Sequence, residues 1–280
     1  METSFFPLSL SFWSLEPVVI IALIVVSGAY ASGFNYFKKQ ETYDDLVKQG
    51  LIKRSQPIYF SVALFTIFIA LASPIDTLSD QLFTMHMIQH LLLALVAAPL
   101  LLMGIPEAFI NPIFDLHPLI RPALRYISTG RAAFILFNLA LVAWHIPPLY
   151  ELTLQSEPIH NLEHAMFFWT GVLSWWPILS PTSKVPRLSY PGQLLYIFLV
   201  ATPGALLGAW LVFTSRVLYP SYAAAPNIWN MSTLEDQQLG GLIMMVPGKF
   251  VYFIALTIVF FVWFNGQEES PYSTPTTSSS

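Results

Sequence analysis

The sequence predicts an all-α polytopic membrane protein, a bundle of seven transmembrane helices. Hydrophobic residues make up 55% of the chain and charged residues only 10%, whereas an average soluble domain is about 25% charged. The apolar residues fall into seven runs, most of them near the roughly 20 residues that a helix needs to cross a bilayer. The runs are continuously apolar, which excludes a membrane β-barrel with its alternating strands. So few charges also exclude a water-soluble globule.

The seven runs follow one another along almost the whole chain. We interpret the first as a retained helix and not as a cleaved signal peptide, because no Lys or Arg precedes it and Lys38 and Lys39 follow it directly. The second run is short and the seventh is long. The predicted spans are 17–37, 58–72, 82–103, 132–149, 160–179, 193–213 and 239–264.

The basic residues predict the orientation of the bundle. The loops after spans one, three and five carry ten Lys and Arg residues, whereas the remaining loops carry only Arg216. Positively charged loops stay in the cytoplasm, so the N-terminus is predicted outside and the C-terminus inside. Residues 1–266 form the predicted transmembrane domain. Residues 267–280, rich in Ser, Thr and Pro, form a predicted disordered cytoplasmic tail.

Charge and cysteine content exclude several kinds of function. The net charge is −4, which offers no basic surface for nucleic acid. The chain has no Cys, so disulfides, thiolate metal sites, iron–sulfur clusters and c-type haem attachment are excluded. Any bound metal must be held by His, Met, carboxylates or backbone oxygens.

Five of the six histidines fall at one predicted face of the membrane. The predicted orientation puts the start of span three, the end of span four and the start of span five outside. Two His-x-x-x-His pairs occur there, and residues four apart lie on one helix face. His117 lies apart, in a predicted cytoplasmic loop. The predicted cluster consists of His86, His90, His145, His160 and His164.

Such a cluster predicts a metal site, because neutral imidazole is the commonest metal ligand and suits copper, zinc and iron. Methionine thioethers near it would favour Cu(I), and polar neighbours would orient the imidazole rings. Copper is therefore the first choice of metal, and no catalytic residue is predicted. The candidates for an additional ligand or an orienting partner are Gln89, Glu163, Asp236, Met244 and Met245.

Lys249 is predicted as a buried charge within span seven, just after Pro247 and Gly248. Ionisable groups inside a membrane are costly and mark function by default. We see four environments for this ammonium group: carbonyls freed by a helix break, a wet cavity, a partner subunit, or snorkelling along a kink.

A series of short motifs runs from span three to span seven, and through them the chain resembles the CtaG family of bacterial cytochrome c oxidase assembly factors, the multi-span membrane type. The motifs are His86-Met87-Ile88-Gln89-His90, Ala98-Pro99-Leu100, Gly104-Ile105-Pro106, Trp144-His145-Ile146-Pro147 with Tyr150, His160-Asn161-Leu162-Glu163-His164, Trp175-Trp176-Pro177, and Asp236-Gln237 with Gly240-Gly241.

The resemblance implies a role in building a haem–copper oxidase in the bacterial cytoplasmic membrane. It implies copper handling on the outer face through the same five histidines, with oxidase subunits and membrane lipid as partners. The chain would then act as an assembly factor or metal chaperone and not as an enzyme.

Two other interpretations of the residues stay open. One is a membrane oxidoreductase that binds haem or a di-iron centre, although a di-iron centre needs more carboxylates than Glu163 alone. The other is an accessory subunit of a respiratory complex, in which the histidines serve packing or proton access. A transporter is less favoured, because the sequence has no repeated halves.

Overall fold

The computed structural model describes residues 13–39, 42–115, 120–225 and 230–268. These ranges are helical and contain no strand. Short 3₁₀ turns cover Asn111–Asp115 and Pro220–Ala224. The α-helices are α1 (Pro17–Lys39), α2 (Tyr43–Lys48), α3 (Gln56–Ala72), α4 (Pro74–Ser79), α5 (Phe83–Leu91), α6 (Ala98–Gly104), α7 (Glu107–Ile110), α8 (Ile120–Ile127), α9 (Gly130–Trp144), α10 (Pro147–Gln155), α11 (Glu157–Leu179), α12 (Tyr190–Phe213) and α13 (Thr233–Glu268).

Four helices in the described ranges are long and apolar enough to cross a membrane: α1, the continuous stretch Phe83–Gly104, α12 and α13. Helices α8 and α9 meet at 67° and make a fifth span if the bent pair is counted as one. Helix α3 is apolar over only 17 residues. The described ranges are therefore all-helical with four to five candidate spans. Five of the seven predicted runs each lie in a single helix, whereas the third and the fourth each extend over more than one.

The predicted fourth span, 132–149, is interrupted in the structure. Helix α9 ends at Trp144, and α10 begins at Pro147 after a break at His145 and Ile146. The cause is local, because Pro147 and Pro148 lack a backbone N–H and a residue before proline avoids the helical region. The break leaves His145 at the end of α9, where its backbone is no longer part of the helix.

The ends of α5, α9, α11 and α13 that carry polar residues meet at one end of the bundle. The backbone N–H of Phe83 donates to Asp236 at the start of α13, and the Tyr219 hydroxyl donates to the backbone carbonyl of His145. One hydrophobic cluster, which includes Phe83, Met87, Tyr150, Phe167 and Met244, lies at this end. A larger cluster, which includes Phe60, Leu101, Trp175, Ile197 and Tyr252, fills the rest of the bundle.

A π-helical turn, Leu92–Ala97, joins α5 to α6. Pro99 follows this turn. Its nitrogen has no hydrogen to donate to the carbonyl four residues earlier, and its ring clashes with that carbonyl, so the helix widens before it. The indole N–H of Trp175 on α11 donates to the Ala94 carbonyl at 3.0 Å. This hydrogen bond ties α11 to α5–α6 one turn beyond the histidines.

Helices α12 and α13 approach each other closely at Gly208 and Gly241. A Cβ atom on Gly208 would lie 2.7 Å from the Gly241 carbonyl oxygen, and one on Gly241 would lie 2.8 Å from the Gly208 carbonyl oxygen. Only glycine leaves room for two backbones at this distance. Gly208 belongs to a Gly-x-x-x-Gly pair, and the structure uses it within the chain.

Two predictions fall wholly or partly outside the described residues. Helix α13 continues to Glu268, two residues into the predicted tail, and residues 269–280 lie outside the described part of the chain. His117 also lies outside it.

Candidate metal centre

Helices α5, α9 and α11 bring the five predicted histidines together in one group, which we call the histidine cluster. Each His-x-x-x-His pair is close, with ring centroids 4.2 Å apart for His86 and His90 and 4.3 Å apart for His160 and His164. The two pairs face each other, since the His86 and His160 rings lie 5.3 Å apart and the His90 and His164 rings 5.5 Å apart. His145 completes the group, 6.4 Å from the ring of His90.

Glu163 lies between the two histidines of α5. Its Oε2 atom is 3.4 Å from Nε2 of His86, and its Oε1 atom is 3.7 Å from Nε2 of His90. Both distances exceed those of a strong charge-assisted hydrogen bond. The carboxylate is fully buried, and its oxygens have no hydrogen-bond partner among the residues that the structure describes.

The buried ligand atoms of the cluster lack hydrogen-bond partners among the described residues. A buried polar atom left unpaired is costly and rare in native proteins, so a concentration of such atoms on metal-ligating side chains favours a bound cation. The atoms are Nδ1 and Nε2 of His86 and His90, Nε2 of His145, His160 and His164, and both carboxylate oxygens of Glu163.

The ring of His145 is oriented by the helix end that carries it. Its Nδ1 atom lies 2.7 Å from the Leu141 carbonyl oxygen. A carbonyl can only accept, so Nδ1 carries the proton and donates it. The lone pair of Nε2 is then left free for a metal, in the arrangement that supporting hydrogen bonds give to ligating histidines.

Asp236 supports the cluster from a distance. Its Oδ2 and Oδ1 atoms accept the backbone N–H groups of Phe83 and Thr84, at 2.7 Å and 3.1 Å. These are among the N–H groups that a helix leaves unpaired at its start, and the preceding Leu82 has no side chain that could cap them. Asp236 therefore fixes the start of the helix that carries His86 and His90, and contributes no direct contact to their rings.

Gln89 faces away from the rings, toward the end of α3. Its Nε2 atom donates to the Ala70 carbonyl at 2.9 Å and to Oδ1 of Asp76 at 2.7 Å. This side chain thus fixes α5 against the α3–α4 connection, in the same positioning role that Asp236 has at the start of α5.

Met244 and Met245 lie in different surroundings in the structure. Met244 is buried and lines a cavity of about 60 Å³ beside His90 and His145. Met245 lines a separate groove on the outside of α12 and α13. Of the two thioethers, only that of Met244 shares a cavity with members of the cluster.

Lys249 lies midway along α13, as its position in span seven predicts. The sequence predicts a buried charge, and the structure corrects this: Lys249 is exposed on the surface of the bundle. The face of α13 that packs inward carries Gly241, Met244 and Gly248, and Lys249 lies beside that face, lining both the cavity and the outer groove. Its ammonium group has no ion-pair partner within the described ranges.

The cluster reaches the surface at His160. The His160 side chain is 13% exposed and its Nδ1 atom lies 3.7 Å from Oδ1 of Asp80, whose side chain is 66% exposed. The other four histidines are buried. A cation therefore has a short access route, from an exposed carboxylate through a partly exposed imidazole to the buried rings.

A family model described as cytochrome c oxidase caa3 assembly factor matches residues 28–266. The chain belongs to this assembly factor family. The match covers most of the chain and confirms the family that the sequence motifs predict. The family is described as assembly factors of the caa3 cytochrome c oxidase.

The curated relatives of this chain are distant in sequence. Uncharacterized proteins of Mycobacterium bovis and Mycobacterium tuberculosis are each 23% identical over 251 residues, which cover 83% of this chain and 36% of the relative. One from Mycobacterium leprae is 22% identical over 270 residues, 90% of this chain and 39% of the relative. The chain thus spans less than half the length of these relatives. No solved structure matches it.

The aromatic side chains of Tyr222 and Phe167, which lie around the histidine cluster, are not predicted by the sequence. Tyr222 donates to the Ser79 carbonyl at 3.1 Å, so the 2.7 Å contact between the Tyr150 and Tyr222 hydroxyls has Tyr150 as its donor. The Phe167 ring stacks on the ring of His90, with the two ring centroids 4.1 Å apart. A sequence feature that could indicate the tyrosines beside the cluster is the Tyr-Pro-Ser-Tyr stretch after span six, because its two tyrosines fall at the predicted outer face.

Proposed function

We propose that this assembly factor binds copper ions through the histidine cluster and passes them to subunits of a haem–copper oxidase. Copper is the cargo and leaves by ligand exchange, so the chain makes and breaks no covalent bond of a substrate. The observation that carries the proposal is the convergence of five imidazoles whose buried Nε2 atoms have no hydrogen-bond partner in the described residues.

The chemistry of the donor atoms supports copper. Imidazole nitrogen is a borderline ligand that suits copper, and a thioether adds preference for Cu(I). Met244 lines the cavity beside His90 and His145, so a soft ligand is within reach of the cluster. Transfer also requires access, and the exposed Asp80 beside His160 provides it.

We further propose that the chain crosses the bacterial cytoplasmic membrane seven times, with the histidine cluster near the outer surface. The distribution of basic residues supports this orientation. Ten Lys and Arg residues lie in the loops after predicted spans one, three and five, at the opposite end of the predicted spans from the histidine cluster, and positively charged loops stay in the cytoplasm. The outer face is also where an accessory protein meets copper supplied from outside the cytoplasm.

The competing haem interpretation receives less support from the geometry. Pockets for drug-sized ligands and cofactors measure about 300–1,000 Å³, whereas the cavity beside His90 and His145 measures about 60 Å³. The five rings lie against one another, with centroids of neighbouring rings 4.2 to 6.4 Å apart. This spacing suits ions and leaves little room for a porphyrin.

The test is the metal content and visible spectrum of the purified full chain in detergent. We expect bound copper and no Soret band, and we expect the double variant His86→Ala with His164→Ala to lose copper while it remains folded and inserted. The matched control is His117→Ala, which should keep its copper. In cells, the double variant should yield oxidase with normal haem and depleted copper.

Unchanged copper content in the double variant would overturn the proposal. A Soret band in the purified protein would favour the haem-binding oxidoreductase instead. A metal-free chain that copurifies with stoichiometric oxidase subunits would favour a structural subunit.

A further inference from the structure

We propose that the histidine cluster holds two metal ions, bridged by the carboxylate of Glu163. This inference rests on the proposed function and adds to it the number of ions and the group that joins them. Its basis is that the ligand atoms fall into two overlapping sets of three, His86–His90–His164 and His86–His160–Glu163, and the atoms of each set lie within 4.8 Å of one another.

The two sets are each close to the size of a single coordination shell. Metal–nitrogen distances are about 2.0–2.1 Å, so two ligands of one ion lie at most roughly 4.2 Å apart. A small movement of side chains brings three atoms that lie within 4.8 Å onto one ion. Neither set of three includes His145, whose ring centroid lies 6.4 Å from that of His90, so neither set brings all five rings to one ion.

Glu163 is the group placed to join two ions. Its two carboxylate oxygens face different histidines, His86 at 3.4 Å and His90 at 3.7 Å. Both separations fit two ligands of one ion, so Oε2 shares an ion with His86 while Oε1 shares another with His90. A carboxylate that uses its two oxygens in this way bridges the pair.

The ligands then divide into an outer and an inner group. The outer ion takes the second set, His160, His86 and Oε2 of Glu163, beside the exposed Asp80. The inner ion takes the remaining members of the first set, His90 and His164, whose ring centroids lie 5.5 Å apart, together with Oε1 of Glu163, which lies 3.7 Å from Nε2 of His90. His145, with its oriented Nε2 atom, is adjacent.

Charge supports a cation beside Glu163. The carboxylate is fully buried, its oxygens have no hydrogen-bond partner within the described ranges, and no Lys or Arg there pairs with it. A buried carboxylate needs a compensating positive charge, which a bound ion supplies. An oxygen donor in this place also suits divalent ions better than a site built of nitrogen and sulfur alone.

The inner and outer sets give the cluster an order of filling. An ion that arrives at Asp80 meets the outer set first and reaches the inner set past His86. Two bound ions of like charge in adjacent sets repel each other, so a second arrival weakens the hold on the first. The cluster is thereby suited to release as well as to capture.

The test is a titration of the purified full chain with Cu(II), read by elemental analysis and by electron paramagnetic resonance. We expect two copper ions per chain, with a signal altered by coupling between them. Glu163→Gln removes the bridge and should bind one ion with an ordinary mononuclear signal. His160→Ala, at the partly exposed end, should also bind one ion and serves as the second variant if Glu163→Gln fails to fold.

The outcomes separate this inference from the proposed function. A single copper ion in the unaltered chain, lost in the His86→Ala and His164→Ala double variant, would overturn the paired site and leave copper binding intact. No copper at all would overturn both. Two ions with two uncoupled signals, unchanged by Glu163→Gln, would overturn the bridge.

Discussion

The carboxylate of Asp236 accepts the backbone N–H of Phe83, across 153 residues of sequence. The start of α13 thereby caps the helix that carries His86 and His90, and the geometry of the cluster depends on a contact outside it. An acidic side chain at a helix start also interacts favourably with the helix dipole. Asp236 is therefore a positioning residue.

Replacing Asp236 by Ala should destabilise the protein by about 1–2 kcal/mol, the usual cost of losing a helix cap, and should weaken copper binding through the displaced start of α5. Asp236→Asn retains one acceptor oxygen, so its stability and its copper affinity should fall between those of Asp236→Ala and those of the unaltered protein. Thermal unfolding in detergent and a copper titration check both effects. The control is Asp45→Ala, whose exposed carboxylate pairs with Lys48 on the same helix. Equal effects of Asp236→Ala and Asp45→Ala would show that the cap is unimportant.

His145 offers a way to separate folding from metal binding. In His145→Asn the amide nitrogen takes the place of Nδ1 and can still donate to the Leu141 carbonyl, but nothing replaces Nε2. We therefore expect a melting temperature close to that of the unaltered protein and a clear fall in copper affinity. Competition with a copper chelator measures the affinity. If affinity were unchanged, His145 would have only a structural role.

The hydrogen bond from Trp175 to the π-helical turn is testable without touching the cluster. Trp175→Phe keeps most of the ring but leaves the Ala94 carbonyl without its donor, and an unpaired buried polar group costs about 1–3 kcal/mol. The control is Trp169→Phe on the same helix, because Trp169 is 59% exposed and should change little. Chemical denaturation of the two variants side by side measures the difference, and similar midpoints would contradict the assignment.

The sequence predicts the histidine cluster well, for a simple reason. Two His-x-x-x-His pairs fix the face of each helix, and alternation of helix direction brings the starts of spans three and five to one end. Each of those inferences uses only local spacing and counting. The sequence also predicts His145 as a member of this group, and the structure adds the helix end that Pro147 and Pro148 create beside it.

The sequence predicts the supporting contacts poorly, because they are set by long-range geometry. Asp236 is singled out as a neighbour of the metal, yet its two oxygens cap a helix start. Tyr219 and Tyr222 follow a loop that Gln237 holds from α13, where its side chain accepts the Leu218 N–H at 2.7 Å. The exposure of Lys249 depends in the same way on which face of α13 packs inward.

A loop contact remote from the cluster gives a prediction about pH. Burial tends to raise the pKa of Glu107, but hydrogen bonds from Ser183 and Asn111, together with Lys184, outweigh it and lower the pKa below its ordinary value of 4.5. A carboxyl group with a lowered pKa stabilises the fold above its unfolded pKa, and that stability is lost as the pH falls through the folded value. Glu107→Gln should therefore lose less stability than the unaltered chain on acidification.

The measurement is the melting temperature from neutral pH to below 4.5, the ordinary pKa of a glutamate. Glu16→Gln, at an exposed position, is the control and should follow the unaltered chain. Parallel curves for Glu107→Gln and the unaltered chain would show that the Ser183 contact contributes nothing.

The close approach of α12 and α13 gives the last prediction. Gly208→Ala puts a Cβ atom 2.7 Å from the Gly241 carbonyl oxygen, and this neighbour is backbone, so the helices must separate. Overpacking of this kind costs about 1–3 kcal/mol. Because α13 also carries Asp236, the separation should disturb the cap of α5 and lower copper affinity as well.

The matched control is Gly28→Ala on α1, where a Cβ atom meets nothing within 4 Å. That change should be neutral or should stabilise the helix by up to about 1 kcal/mol, since alanine favours a helix more than glycine does. Thermal unfolding with a parallel copper titration measures both effects, and a Gly208→Ala protein as stable as Gly28→Ala would contradict the tight packing of these two helices.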